Sequence, residues 1–334
     1  MRKILIACAA IALGGVSAVK ADPVKLKFAF FTGETERTWT TTIKPFIDAI
    51  NQEGKGIVEI DAYPNGALGR NMAQQAQMVL DGVADIAFVL PALTPGRFTE
   101  NQVMELPGIV TDVKDATLIY SGMLRGEKIK GFEDFYVIAA LGGDSFPLHT
   151  RQAIGGLADL KGKKIRAGGA LQSRTLKALG IVPVLMPINE VPEAIARGTI
   201  DGTAIQTLPM IDYGVGKVVS FHYFAGIGFT PLAVLMNKKK FDSLPPKAKA
   251  IVEKYSGDWM NSIYNKGFGE ASKEAIAQLA ADPKRKVIYP TEAERRILDE
   301  SYKSVVEEWT AQSPRNAELH RELLAVTKQV RSQN

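Results

Sequence analysis

Residues 159–169 read DLKGKKIRAGG, and residues 179–206 read LGIVPVLMPINEVPEAIARGTIDGTAIQ. A short apolar and basic strand that ends at Arg166 is followed by glycines, a helix, a second strand and a second helix. Another strand opens at residues 200–202. This alternation is typical of consecutive βαβ units. The stretch therefore predicts an α/β fold with parallel strands.

Arg166 stands at the end of the first of these strands, and ligands of parallel sheets bind at the carboxyl ends of strands. Gly168 and Gly169 follow it and allow a ligand to approach the backbone closely. A guanidinium binds a carboxylate through two parallel hydrogen bonds. Arg166 is therefore a candidate ligand contact. The alternative is a structural ion pair with an acid such as Asp201.

The chain before this stretch follows the same alternation. VKLKFAFF at 24–31 predicts a first strand, an amphipathic helix and a second strand follow, and a third strand runs over 86–90. This order predicts a doubly wound half-domain. We place the crossing into a second domain at 146–150 and the return at 229–241, where an apolar strand meets three lysines.

Several apolar side chains stand where the predicted strands and crossings end. A cleft between two domains opens at these points, so the side chains predict a pocket that is partly apolar. Each of them taken singly also fits a hydrophobic core. They are Phe30, Phe31, Trp39, Leu90 and Phe146.

Length and charge narrow the class of protein. The chain has 334 residues, enough for two domains with separate cores, and 46% of them are hydrophobic. The formal charge is +5, but residues 1–21 hold three of the 41 basic residues and no acid. Without them 38 basic residues face 36 acidic ones, a net of +2. A nucleic acid partner is not expected at this balance.

Residues 1–21 have the features of an export signal. MRK is basic, an apolar run follows, and small residues precede the expected cleavage after Ala21, with Ala18 as an alternative. Cys8, the only cysteine, leaves too short an apolar run before it for a lipoprotein signal. The mature chain therefore has no thiol, and we expect a periplasmic protein without disulfides.

Motifs for chemistry are scarce. His149, His222 and His320 lack metal-ligand spacing, and serine nucleophile elbows and phosphate-binding loops are absent from the sequence. We therefore expect neither enzyme activity, nor a cofactor, nor a metal. Two alternatives stay open: an exported hydrolase with a carboxylate pair such as Asp81 and Asp85, and a sensory receptor that signals its closed state.

Six segments together resemble the DctP-type periplasmic solute receptors of tripartite ATP-independent periplasmic (TRAP) transporters. The resemblance extends over nearly all of the chain after the leader, and the segments occur in the same order. The segments are YPNGALG (63–69), DGVADIAFVLPALTPGRF (81–98), ELPGI (105–109), ADLKGKKIRAGG (158–169), LGIVPVLMPINEVPEAIARGTIDG (179–202) and LAVLMNKKKFDSLPPKAKAIV (232–252).

The resemblance implies a two-domain periplasmic-binding-protein fold, each domain a mainly parallel sheet flanked by helices, closing like a hinge over one organic acid. It also implies delivery of that acid to small and large membrane subunits, driven by an ion gradient. The predicted parts are a leader (1–21), domain I (22–147 with 234–290), domain II (148–233) and C-terminal helices along both (291–334). The arginine of the KGKKIR motif, the family's carboxylate anchor, maps onto Arg166.

Three positions depart from the family's sialic-acid receptors. Ile205, with Gln206 beside it, replaces an asparagine, Ile188 replaces a phenylalanine, and Phe146 replaces a second arginine. The departures predict a less polar pocket with one strong anion site. We therefore expect a monocarboxylate with an aromatic or 2-oxo body, and we include Ile188, Ile205 and Gln206 among the ligand contacts.

Overall fold

The structure, a computed structural model, describes residues 22–333, so the predicted leader, Cys8 and the expected cleavage sites lie outside the described residues. The strands of this range are β1 (Val24–Ala29), β2 (Val58–Tyr63), β3 (Ile86–Val89), β4 (Phe135–Gly142), β5 (Leu148–Thr150), β6 (Lys164–Ala167), β7 (Val182–Leu185), β8 (Gly202–Ala204), β9 (Phe221–Tyr223), β10 (Pro231–Asn237) and β11 (Lys286–Ile288). Its α-helices are α1 (Lys44–Glu53), α2 (Gln75–Leu80), α3 (Val113–Arg125), α4 (Ala170–Ala178), α5 (Val191–Ala196), α6 (Thr207–Asp212), α7 (Lys238–Asp242), α8 (Pro246–Tyr255), α9 (Asp258–Ala281), α10 (Glu292–Thr310) and α11 (Pro314–Ser332). None of the helices in this range is long and apolar enough to cross a membrane.

The strands form two sheets, and each sheet has one strand that runs against all the others. The first sheet has the order β2-β1-β3-β10-β4, and β10 is the reversed strand. The second has the order β11-β9-β5-β8-β6-β7, and β5 is reversed. Both reversed strands come directly after a crossing from the other sheet. The predicted two-domain fold with mainly parallel sheets is confirmed.

The sequence pattern of the strands matches their burial. In β1 the buried Leu26 and Phe28 alternate with the exposed Lys25 and Lys27, as in a strand with one wet face. All four residues of β3 are apolar and buried because β3 lies in the middle of the first sheet, with helices on both faces.

Two connections lead directly from a strand of one sheet to a strand of the other, residues 143–147 and residues 224–230. They contact each other, since the amide of Phe146 and the hydroxyl of Ser145 both donate to the carbonyl of Gly228, at 2.8 and 3.1 Å. The structure differs from the prediction at β11: the predicted domain I includes it, whereas β11 pairs in parallel with β9 of the second sheet. Its backbone hydrogen bonds therefore place it in the second domain.

Helices α9 and α10 pack against both domains, and α11 packs against the first. On α9, Tyr264 lies in the core of the first domain and Leu279 in a cluster of the second. On α10, Tyr302 packs into the second domain and Trp309 into the first. The predicted capping box at the start of α10 is present, because the Thr291 hydroxyl and the Glu294 carboxylate bond each other's backbone amides.

Candidate functional site

A cavity of about 670 Å³ opens between the two sheets, a size typical of small-molecule sites. It lies where strands of both sheets end, so the first residue or two beyond a strand form much of its wall. Those residues are Phe31 after β1, Leu90 after β3, Gly168 after β6, Met186 after β7 and Ile205 after β8. The parallel strands therefore bring side chains from distant parts of the chain to one cleft.

Arg166 lies half-buried in this cavity and is not paired with Asp201. The carboxylate of Asp201 accepts from the backbone amide of Lys164 at 2.7 Å, whereas Arg166 donates from Nε to the carbonyl of Met186 at 3.0 Å. Within residues 22–333, its Nη1 and Nη2 have no hydrogen-bond partner. Burial lowers the pKa of the guanidinium to about 10, so it stays charged at neutral pH.

The glycine after the strand makes room for this guanidinium. A Cβ at Gly168 would lie 3.2 Å from both Nη1 and Nη2 of Arg166. Any larger residue there forces the guanidinium to move. The aromatic wall opposite includes Phe31 and Phe88, whose rings stack at a centroid distance of 5.7 Å and an angle of 25°.

The structure brings seven of the eight predicted contacts to the cavity wall. They are Phe31, Leu90, Phe146, Arg166, Ile188, Ile205 and Gln206. The side chain of Gln206 lies against the first crossing segment. A Cβ at Gly143 of that segment would lie only 2.2 Å from its Nε2. This close approach explains why glycine occupies position 143.

Trp39 is the predicted contact that does not line the cavity, since its indole lies in the core of the first domain. Trp39 begins a π-helical turn, Trp39–Ile43, and its ring packs 5.2 Å from Phe30, the neighbour of Phe31. Phe30 is buried in the same core. Phe31 is thus the aromatic residue at the end of β1 that faces the cleft.

Sequence reasoning missed four titratable residues of the wall, Glu36, Arg70, Glu105 and Tyr213. Glu36 accepts from the hydroxyl of Thr38 and the amide of Trp39, and burial raises its pKa to about 6. Its position shortly after β1 is a signal that could have found it. Glu105 lies in a region without clear periodicity, and we see no sequence signal for its role.

Two of the histidines form a buried pair behind the cavity. Nε2 of His149 lies 3.0 Å from the carbonyl of Ile205, and its Nδ1 lies 2.7 Å from Nδ1 of His222. A carbonyl only accepts, so Nε2 of His149 carries the proton, and its Nδ1 accepts from His222. Nε2 of His222 then faces Arg285 at 3.5 Å. The contacts from Arg285 through His222 and His149 thus end at the carbonyl of Ile205, a residue of the cavity wall.

Acid is expected to destabilise the fold through this pair. Burial lowers the pKa of both histidines, with the charges of His222 and Arg285 adding to the shift. The unfolded chain takes up protons below pH 6.5 while the folded pair stays neutral, so stability is complete above 6.5 and falls below it. The expected loss is about 1.4 kcal/mol per pH unit for each histidine that stays neutral.

Urea unfolding at pH 7.5, 6.5, 5.5 and 4.5 measures this dependence. The double variant H149N/H222N is expected to show a shallower fall in unfolding free energy below pH 6.5 than the wild type. The variant His320→Asn removes a half-buried histidine of α11 whose pKa burial also lowers, so it should flatten the fall by less than the double variant does. Parallel curves for the wild type and the double variant would contradict the assignment.

With this geometry established, comparison with known proteins gives the family. The model for bacterial extracellular solute-binding protein, family 7 (DctP), matches residues 30–313. The chain belongs to this family. The resemblance to DctP-type receptors that the six segments indicated is thereby confirmed.

Relatives of this chain are distant in sequence. A solute-binding protein of Sulfitobacter is 26% identical over 229 residues, which cover 66% of this chain and 68% of the relative. The C4-dicarboxylate-binding periplasmic protein DctP of Rhodobacter capsulatus is 23% identical over 288 residues, 83% of each chain.

Solved structures of the family are closer in shape. A marine metagenome TRAP solute-binding protein specific for aromatic acid ligands, solved with 3-hydroxybenzoate, has a TM-score of 0.85 and 22% identity, covering 92% of this chain and 99% of its own. A TRAP solute-binding protein from Rhodoferax ferrireducens with copurified benzoate has a TM-score of 0.80 and 26% identity, covering 92% and 98%.

Proposed function

We propose that this DctP-family protein is an extracytoplasmic receptor for a small organic monocarboxylate, with an aromatic or similarly planar body. The carboxylate pairs with the Nη nitrogens of Arg166, and the body lies along the wall that contains Phe31 and Phe88. The ligand thus bridges the two domains, because Arg166 belongs to the second and both rings belong to the first.

The observation that carries this proposal is a charged guanidinium whose two Nη nitrogens have no partner in the described chain and border an apolar cleft. A buried charge is costly unless it is paired, so the site favours an anion that completes the pair. Arg70 also borders the cleft but is exposed, where water screens its charge. One strong anion site fits a monocarboxylate better than a dicarboxylate.

The two structures with aromatic acids support the same ligand class. One relative was solved with 3-hydroxybenzoate and another with benzoate, and both share the fold of this chain. The carboxylate pair considered for a hydrolase has other contacts: Asp85 accepts from the amide of Lys27 at 2.8 Å, and Asp81 accepts from Gln77 at 2.7 Å. Neither aspartate borders the cavity.

We further propose that ligand binding closes the domains about the two crossing segments, and that the closed receptor delivers its ligand to the small and large TRAP membrane subunits. Residues 1–21 serve as the export leader, removed after Ala21 or Ala18. A hinge of this kind makes closure depend on the ligand, since only the closed form completes the charged pair. Intact mass of the protein secreted to the periplasm tests the leader.

Calorimetric titration with a panel of organic acids tests the receptor function. We expect benzoate, hydroxybenzoates or mandelate to bind more tightly than succinate and more tightly than the uncharged benzamide. Turnover of a bound acid would support the hydrolase alternative. Binding without uptake by vesicles that contain the membrane subunits would support the sensory alternative. Failure of every carboxylate to bind would overturn the proposal.

A further inference from the structure

Glu105 is the last residue of a short 3₁₀-helix, Thr99–Glu105, and its side chain borders the cavity. One carboxylate oxygen, Oε2, lies 3.6 Å from the position that a Cβ on Gly169 would take. A Cβ on the adjacent residue, Gly168, would lie 3.2 Å from both Nη nitrogens of Arg166. The Glu105 carboxyl therefore lies beside Gly169 and the Arg166 guanidinium beside Gly168. The Cα atoms of these two consecutive glycines are ~3.8 Å apart.

The carboxyl of Glu105 has no hydrogen-bond or ion-pair partner among the side chains and backbone groups of residues 22–333. Glu36, the other acid of the wall, accepts two hydrogen bonds from its own helix turn, so its carboxylate is already satisfied. Glu105 is half-buried at the edge of an apolar cavity. An unpartnered carboxylate that is largely removed from water is costly, and such a group takes up a proton more readily than one in solution. Burial accordingly raises the pKa of Glu105 to about 8.

The charged groups around Glu105 leave it without a counter-ion. On its own helix, Glu100 is paired with Arg315 of α11. On α4, which packs against this helix, Arg174 and Lys177 are exposed to solvent. The nearby titratable side chain on α3 is the phenol of Tyr120, which donates to Asn101 at 2.7 Å. The strand β10 contributes no charged residue on this side.

We propose that Glu105 is a second ligand contact, a neutral carboxylic acid that donates a hydrogen bond to an oxygen on the body of the bound acid. This inference rests on the proposed receptor function. It assigns the ligand class more narrowly, to monocarboxylates with a hydroxyl or keto oxygen in addition to the carboxylate. Arg166 takes the carboxylate, and Glu105 selects acids whose second oxygen reaches it.

Chemically, the two contacts complement each other. The guanidinium donates two hydrogen bonds and neutralises the ligand's charge. A neutral Glu105 adds a donor without adding a negative charge beside the anion. When Glu105 ionises, the donor is lost and a like charge faces the ligand. Binding should therefore weaken as the pH rises through the pKa of Glu105.

Three matched pairs of acids measure the selection at pH 7 by calorimetry: 3-hydroxybenzoate and benzoate, mandelate and phenylacetate, and pyruvate and propionate. For wild type we expect the oxygenated member of at least one pair to bind about fivefold more tightly, the value of one net hydrogen bond. Glu105→Gln, which keeps a donor and the side-chain shape, should keep this preference. Glu105→Ala should remove it, and Glu300→Gln, on an exposed face of α10, should change nothing.

A pH series with mandelate separates a donor role from a purely structural one. Mandelate has no group that titrates between pH 7 and 9.5, and Glu36 titrates lower, with a pKa of about 6. Wild-type affinity should fall above pH 8, by up to tenfold per pH unit, while the affinity of Glu105→Gln stays level. This series needs only the isosteric variant, so it holds even if Glu105→Ala does not fold.

The outcomes distinguish the two proposals. If wild type binds none of the six acids, the receptor function fails and this inference fails with it. If wild type binds but the Glu105 variants keep the same preference and the same pH profile, the receptor function stands and the role of Glu105 is overturned. A preference of wild type for the acids without a second oxygen also overturns it.

Discussion

Arg166→Ala is expected to weaken binding of the carboxylate ligand at least about 30-fold. Removing one member of a buried, hydrogen-bonded charge pair costs about 2–5 kcal/mol, because the ligand's carboxylate then loses its counter-ion inside the cleft. The fold should be unaffected, since the side chain makes only one hydrogen bond, to the carbonyl of Met186. Calorimetry with the acid that binds wild type best measures the loss.

Two control variants distinguish the loss of the charge from the loss of the two parallel donors, and both from a nonspecific effect of removing an arginine. Arg166→Lys keeps the charge but not the two parallel donors, so we expect a smaller but definite loss. Arg174→Ala removes an exposed arginine of the same domain and should leave affinity unchanged. Equal affinities for wild type and Arg166→Ala would show that Arg166 is not the anchor.

The position of the guanidinium can be tested without removing it. Gly168→Ala places a methyl group 3.2 Å from both Nη nitrogens, so the guanidinium has to shift and the affinity should fall. Gly96→Ala is the matched control, because a Cβ there meets no atom within 4 Å. We expect Gly96→Ala to bind the ligand like wild type.

Trp309→Ala should lower the free energy of unfolding by about 3–5 kcal/mol, the usual cost of deleting a large buried aromatic ring. Trp309 is 1% exposed and packs from α10 into the core of the first domain. Its Nε1 donates to Gln102 at 3.4 Å, on the 3₁₀-helix that carries Glu105. The ring thus joins a C-terminal helix to an element of the ligand cleft.

Urea unfolding of wild type, Trp309→Ala and Trp309→Phe measures this contribution. Trp309→Phe should cost less, because most of the apolar contact remains. Leu324→Ala, at a position of α11 that is 47% exposed, is the control and should change stability little. A loss below about 1 kcal/mol for Trp309→Ala would mean that α10 contributes little to the first domain.

Much of the cleft could be predicted from local pattern. Arg166 was found because it ends a strand and is followed by glycines, and the structure places it at the carboxyl edge of the second sheet. Phe31 and Leu90 follow the same rule. Trp39 does not follow this rule, because it lies on the helical turn after β1 and its indole packs into the core. Phe31, eight residues earlier, faces the cleft.

Other features depended on contacts between distant residues. His149 and His222 showed no metal-ligand spacing, yet antiparallel pairing of β5 with β9 sets them opposite each other. The sequence placed strand β11 in the first domain, whereas its backbone hydrogen bonds to β9 place it in the second. In each case the partner lies far along the chain, and sequence periodicity carries no information about such a partner.

The sequence by itself determined the α/β class, the arginine at the end of a strand and the family. These depend on local periodicity, on strand ends and on motifs, which are properties of short segments. Only the tertiary structure decided that Arg166 is free of Asp201, that Trp39 is a core residue, and that Glu105 faces the cleft without a partner. Burial and pairing of charges depend on every element that surrounds a side chain, and only the folded chain brings those elements together.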